Sequence, residues 1–157
     1  MRIGLISDTH GLLRPEAAAF LQGCDHLVHA GDVGDARVLA ELAAIAPLHA
    51  IRGNVDTGDW AGALPETLEV QLGGVRLFVV HDSRQLDLDP SARGIDVVVS
   101  GHSHRPLVEE RAGVLYINPG SAGRRRFRLP VSAGELRIDG VRLAPRIVEL
   151  LPPAATG

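Results

Sequence analysis

The chain has 157 residues, of which 45% are hydrophobic and 22% charged, with a formal net charge of −3. This is enough for one domain with a real core and is ordinary for a globular protein. The acidic balance argues against broad electrostatic binding to nucleic acid, and no apolar run approaches the roughly 18–20 residues of a membrane span. Cys24, the single cysteine, cannot form an internal disulfide, and the opening Met1-Arg2-Ile3-Gly4-Leu5 lacks a signal-cleavage pattern, so a cytoplasmic location is expected. All 16 basic residues are arginine, which we read mainly as genomic compositional bias.

Met1 to Ser7 is nearly continuous apolar sequence, the signature of a strand buried on both faces. Pro15 to Gln22 reads as a short helix with proline in its first turn and Gly23 as a stop. His26 to Ala30 is a second strand. Asp35 then caps a helix whose Val38, Leu39, Leu42 and Ile45 share one face. Pro47 to Arg52 makes a third strand, and Trp60 with Ala61, Ala63 and Leu64 is expected to cover the core. After Pro65 the pattern changes. Thr67 to Leu72 and Val75 to Val80 are strands joined by Gly73-Gly74, a compact hairpin signal. Ser83 to Gly94 is polar and helix-poor, with one turn starting at Pro90. Ile95 to Ser100, Leu107 to Arg111 and Val114 to Asn118 are further strands. Ser132 to Ile138 and Val141 to Leu150 close the chain around Asp139-Gly140. Early alternation followed by hairpins predicts an α/β protein with mixed sheets, as a single domain over residues 1–150 with a frayed tail at 151–157.

Short polar motifs follow these apolar runs: Asp8-Thr9-His10, Gly31-Asp32, Gly53-Asn54, His81, His102, His104 and Asn118-Pro119-Gly120-Ser121. Carboxylate, imidazole and amide groups are the kit for holding divalent metals, and loops at the carboxyl ends of α/β strands converge into sites. Core packing does not account for six strand ends that each supply a polar residue. His26, His29 and His49 lie in or beside strands and read as structural, with His29 a candidate neighbour of the site.

In this order the motifs resemble those of the calcineurin-like metallophosphoesterases, and in particular their small bacterial and archaeal phosphodiesterase subfamily. The family pattern D-x-H, G-D, G-N, a lone H and G-H-x-H is matched by Asp8-Thr9-His10, Gly31-Asp32, Gly53-Asn54, His81 and Gly101-His102-Ser103-His104. The match spans roughly Met1 to Ser121. Any one motif is weak, whereas all five in order are highly specific.

The resemblance implies an α/β/β/α sandwich of two mixed sheets flanked by helices, and a centre of two divalent ions. One ion takes Asp8, His10, Asp32 and His104, and the other takes Asp32, Asn54, His81 and His102. Asp32 bridges, its two oxygens each serving one cation. Nitrogen and oxygen ligands suit Mn²⁺ first, with Fe²⁺, Ni²⁺, Co²⁺ or Zn²⁺ as alternatives, better than Ca²⁺ or Mg²⁺. The implied reaction is phosphodiester hydrolysis of a small-molecule ester by a metal-bridging hydroxide, with Asp32, Asn54 and Asp56 as catalytic residues. A non-catalytic scaffold on the same fold and a nuclease of the same superfamily are the alternatives, and a homo-oligomer is left open.

Two departures from the pattern stand out. Many members follow the metal-binding asparagine with a proton-donating histidine, but this chain reads Gly53-Asn54-Val55-Asp56. The small phosphodiesterases commonly lack that histidine too and keep an acid next, so Asp56 either supports the site or substitutes as an acid, and support is favoured. Asp82 stands where relatives usually have glycine, and either orients His81 or repels a substrate phosphate. Arg124, Arg125, Arg126 and Arg128 form either a solvated loop or, for Arg124 to Arg126 in particular, a grip on substrate phosphates. Asn118 to Ser121 is expected beside the metals as support.

Overall fold

The opening apolar segment becomes β1 (Arg2–Ile6), and both its faces are covered. Ile3 and Leu5 enter one apolar cluster while Ile6 enters another. Gly4 lies under α1 (Pro15–Leu21), where a Cβ would run into Leu21, Leu27 and Cys24, so its missing side chain lets the helix lie close to the sheet. β2 (His26–His29) and β3 (Leu48–Ala50) extend the sheet in parallel. Between them runs α2 (Ala36–Ala43), capped as expected by Asp35, whose carboxylate accepts the Arg37 N–H at 2.9 Å. β9 (Ser132–Asp139) and β10 (Arg142–Glu149) complete it, giving the order β10-β9-β1-β2-β3.

The second sheet comprises β4 (Thr67–Leu72), β5 (Val75–Val80), β6 (Val97–Val99), β7 (Leu107–Arg111) and β8 (Val114–Asn118), in the order β4-β5-β6-β8-β7. Its inner strands β5, β6 and β8 are parallel and its edges antiparallel. Ile3, Leu5, Val28 and Ile51 of the first sheet meet Leu77, Val79, Val97, Val99 and Ile117 of the second to form the main core. β1, β2 and β3 run parallel in the first sheet and β5, β6 and β8 in the second, so the carboxyl ends of these six strands supply one shared site.

The expected two-sheet α/β architecture is present in this computed structural model, which describes residues 1–152. The frayed tail is expected at 151–157, of which 153–157 lie outside the described residues. Both α-helices pack on the first sheet. The outer face of the second is covered by Leu86, Leu88 and Ile95 from the segment that begins with a 3-10 turn at Ser83–Gln85. Asp82 caps that turn, a signal the polar sequence concealed. β6 is shorter than Ile95 to Ser100. The last hairpin turns at Gly140-Val141, one residue later than expected, because Asp139 pairs with Arg142. Trp60 is half-buried against the helix-side cluster.

Leu77 is fully buried between the sheets. Leu77→Ala is expected to lower unfolding free energy by about 2–5 kcal/mol in urea titration. A loss below about 1 kcal/mol would show that the sheets are not packed through this residue.

Candidate metal centre

The glycines preceding the candidate ligands are required by space. A Cβ on Gly53 would strike the backbone and carboxylate of Asp32, and one on Gly101 would strike Ser7 Oγ and Asp8 Oδ2. The polar residues that follow are turned sharply inward. Asp8, His10, Asp32, His102 and His104 all adopt positive φ, between 47° and 70°, a region that L-residues enter at a cost. Among the described residues only Ala112 and Phe127 are further non-glycine examples. Five such residues at one place mark a site whose geometry is imposed by the surrounding fold.

The turns bring two clusters together, Asp8, His10 and His104 in one and Asp32, His81 and His102 in the other. In each cluster the candidate ligand atoms lie within 4.8 Å of one another. Asp8 Oδ2 accepts from the Ser7 hydroxyl at 2.6 Å and the His102 N–H at 3.1 Å, while Oδ1 faces His104 Nε2 at 3.4 Å and His10 Nε2 at 3.9 Å. Asp32 Oδ1 accepts the Val55 N–H at 3.0 Å. Its Oδ2 faces both clusters, 3.2 Å from His81 Nε2 and 3.7 Å from His10 Nε2. The expected division of labour, one Asp32 oxygen per cation, is therefore altered: the oxygen between the clusters is Oδ2 alone. Asn54 Oδ1 lies 3.3 Å from His102 Nδ1.

Asp8 Oδ1, His10 Nε2, His81 Nε2 and His104 Nδ1 are buried without a hydrogen-bond partner. Leaving such atoms unpaired costs about 1–3 kcal/mol each. Asp8 Oδ1, His10 Nε2 and His81 Nε2 lie together beside Asp32, and cations fit as their missing partners. Burial opposes ionisation of Asp32, but the His81 imidazole and the Val55 N–H outweigh it and hold the carboxyl at about 2. Burial likewise opposes protonation of His81, but Asp32, the Ala30 carbonyl and Asp8 raise its pKa above the usual imidazole value. A cation entering here displaces that proton, so its affinity falls with falling pH.

The surrounding hydrogen bonds fix the loops. His81 Nδ1 donates to the Ala30 carbonyl at 2.8 Å, which aims Nε2 at Asp32. Asp82 does not orient His81. It accepts from the Arg84 backbone and guanidinium and stands 3.7 Å from His102 Nε2. Asp56, expected among the catalytic groups, is buried and accepts the N–H groups of Val33, Gly34 and Gly53 at 3.1, 2.8 and 2.9 Å. It clasps the loop carrying Asp32 to the loop carrying Asn54, with both oxygens engaged. Asn118 supports the site as expected, donating to the Gly101 carbonyl and Ser103 Oγ, and Ser121 Oγ donates to the Asp8 carbonyl. His29 accepts from the Gly31 N–H at Nδ1, so its Nε2–H donates to Thr9 Oγ1, which in turn donates to the Val33 carbonyl. Sequence reasoning missed Ser7; the available signal was a hydroxyl residue ending the apolar run just before Asp8. His26 and His49 bond each other at the far end of β2 and take no part.

A groove of about 740 Å³ leads away from Asn54, His81 and His102, and its lining includes Arg52 and Arg93 but not Arg124, Arg125 or Arg126. Arg125 reaches instead to the carbonyls of Leu129 and Pro152, at 3.5 and 2.6 Å. Val55, in place of a histidine, is 44% exposed.

The chain matches the calcineurin-like phosphoesterase superfamily domain over residues 1–140 and belongs to that superfamily. It is 34% identical to a probable metallophosphoesterase of Methanothermobacter thermautotrophicus, over 98% of this chain and 95% of that protein. It is 29% identical to the phosphodiesterase YfcE of Escherichia coli K12, over 88% and 89%. Among solved structures, Vps29 of Chaetomium thermophilum matches with a TM-score of 0.77 at 20% identity, over 94% of this chain and 95% of that one. Among the described residues, no helix is long and apolar enough to cross a membrane.

Two expectations follow. Asp56→Asn should weaken metal binding and lower stability by about 1–3 kcal/mol while leaving the pH dependence of hydrolysis unmoved; a shifted profile would mean that Asp56 transfers protons. The second concerns His29, whose folded pKa is pushed down by burial to about 4 from 6.5. The unfolded chain binds this proton first. The associated stability is complete above pH 6.5, is lost as pH falls toward 4, and amounts to on the order of 3 kcal/mol. Denaturation of His29→Gln at several pH values should show a slope shallower by up to one proton across that window. An unchanged slope would refute the neutral, buried assignment.

Proposed function

We propose that the protein is a metal-dependent phosphodiesterase with two divalent ions, one held by Asp8, His10, His104 and Asp32, the other by Asp32, Asn54, His81 and His102. The observation that carries this reading is the meeting of three unpartnered buried atoms, Asp8 Oδ1, His10 Nε2 and His81 Nε2, beside Asp32. Membership of a phosphoesterase superfamily gives the reaction class, and similarity to YfcE, a phosphodiesterase, favours diesters. Two divalent cations in such a ligand set supply Lewis acidity and lower the pKa of water toward roughly 7. Mixed nitrogen and oxygen ligands suit manganese first, with iron, nickel, cobalt or zinc as alternatives.

The chain's own residues define the rest. Asp8 and Asp32 return two negative charges against four positive ones, so the centre keeps a field that attracts an anionic ester. Asp32 Oδ2, lying between the clusters, fixes their spacing. Asn54 contributes a neutral amide oxygen and adds no charge. His81 is locked by the Ala30 carbonyl, and Asp56 holds the Asp32 and Asn54 loops in register. No side chain beside Asn54 donates a proton, since Val55 is aliphatic and Asp56 is fully engaged. The leaving oxygen therefore departs without the about 10²–10⁴-fold help of a positioned acid. We place the activity in a single domain over residues 1–150, acting on small phosphoesters. A scaffold would not need every ligand position filled, and a net charge of −3 does not suit a nuclease.

Reconstituted with Mn²⁺, the protein should hydrolyse activated aryl phosphodiesters, and its rate should fall steeply as the leaving group becomes more basic. Chelation or Asp32→Asn should abolish turnover. Hydrolysis that survives both, or a metal-replete protein that is inert, would sink the proposal.

A further inference from the structure

The groove beside the centre has a chemical character of its own. It starts at Asn54, His81 and His102 and runs over the outer face of the second sheet. Its apolar lining is Phe78 and Val80, buried members of the cluster that packs on that face, together with half-buried Leu88. At about 740 Å³ it is large enough for a drug-sized organic group. It carries the carboxylates Glu66, Glu69, Asp82 and Asp87 against the arginines Arg52 and Arg93.

Both arginines are already engaged. Arg52 Nη2 lies 3.0 Å from Glu66 Oε1, and Arg93 Nη2 lies 3.4 Å from Glu69 Oε2. Glu69 is also met by Arg76. A second phosphate entering the groove would find no free cation among these lining residues, and Asp87 is the one lining carboxylate without an arginine partner. At the junction with the centre, Asp82 Oδ2 stands 3.7 Å from His102 Nε2 and is paired with Arg84 at 2.8 Å.

Resting on the phosphodiesterase reading, we infer that this groove receives one ester group of the substrate, and that the group is neutral or cationic with an apolar face. The substrate class is then a diester of a single phosphate carrying an organic substituent, to the exclusion of oligonucleotides and of esters bearing a second phosphate or a carboxylate. The centre takes the phosphate, Phe78, Val80 and Leu88 take the apolar body, and Asp87, with no free cation beside it, repels further anions.

The test compares 4-nitrophenyl phosphodiesters that share one leaving group and differ in the other ester group: methyl, phenyl, trimethylammonioethyl or 4-carboxyphenyl. The phenyl and trimethylammonioethyl esters should exceed the carboxyphenyl ester in kcat/KM by tenfold or more, with the gap narrowing in high salt. Asp87→Arg, an exposed change outside the centre, should reduce that preference several-fold. Calorimetric titration of the metal-loaded protein with phenyl and 4-carboxyphenyl methylphosphonate should give the same order of affinity without turnover. Equal hydrolysis and equal binding of the carboxyphenyl compounds would overturn the inference, as would a preference that Asp87→Arg does not move. Failure to hydrolyse even the methyl ester would overturn the phosphodiesterase reading itself, and the phosphonate affinities would then still report on the groove.

Discussion

Two buried carboxylates, Asp8 and Asp32, set the terms for the rest of the molecule. Each has one oxygen saturated by donors from the chain, Ser7 and the His102 N–H for Asp8 and the Val55 N–H for Asp32. Each leaves the other oxygen facing imidazoles. A buried charge without compensation is among the least tolerable features of a fold. The arrangement is intelligible only if positive charge completes it. Within the chain, His10, His81 and His104 are the available partners, their Nε2 atoms facing Asp8 or Asp32 at between 3.2 and 3.9 Å.

Bringing these groups together demands close backbone approach, and the approach explains the motif glycines better than flexibility does. The loop after β3 passes so near Asp32 that only Gly53 fits, and the loop after β6 passes so near Asp8 that only Gly101 fits. Once that close, the ligands themselves must turn through positive φ. The strain is held by hydrogen bonds from buried groups that touch no ligand cluster directly. Asp56 ties two loops with three N–H groups, and the relay from Gly31 through His29 and Thr9 to Val33 ties two more segments. Stability and function are coupled here, because the relay through buried His29 also holds the segments that carry Asp8 and Asp32.

Those couplings also explain what was legible in the sequence. Ligand types, their order and their position after apolar runs could be read because each motif is local, a strand end plus one or two residues. The α/β class with mixed sheets followed from the change of pattern near Pro65, and the sandwich of two sheets from the family resemblance. The role of Asp56 depended on three N–H groups from two loops, about twenty residues apart in sequence, which no local pattern encodes. The two oxygens of Asp32 are alike in sequence, and only the Val55 N–H distinguishes them. The 3-10 turn after Asp82 was hidden because its cap, its turn and its Leu86–Leu88 packing lie inside a segment whose polarity suggested solvent.

The arginines show how proximity in sequence misleads about charge. Arg124, Arg125 and Arg126 form the densest basic run in the chain, yet they do not line the groove, and Arg125 is committed to main-chain carbonyls. Arg52 and Arg93, isolated in sequence, do line it, but each is neutralised by a glutamate. On the proposed reading, the positive field available to a substrate comes from the centre alone, because the arginines of the groove beyond it are spent on carboxylates. A centre that binds an anion, beside a wall with no free cation, would then divide a substrate into two parts: one phosphate at the metals and an uncharged or cationic remainder on Phe78, Val80 and Leu88. Without a proton donor at Val55, that division carries the recognition, since chemistry at the leaving oxygen adds little discrimination of its own.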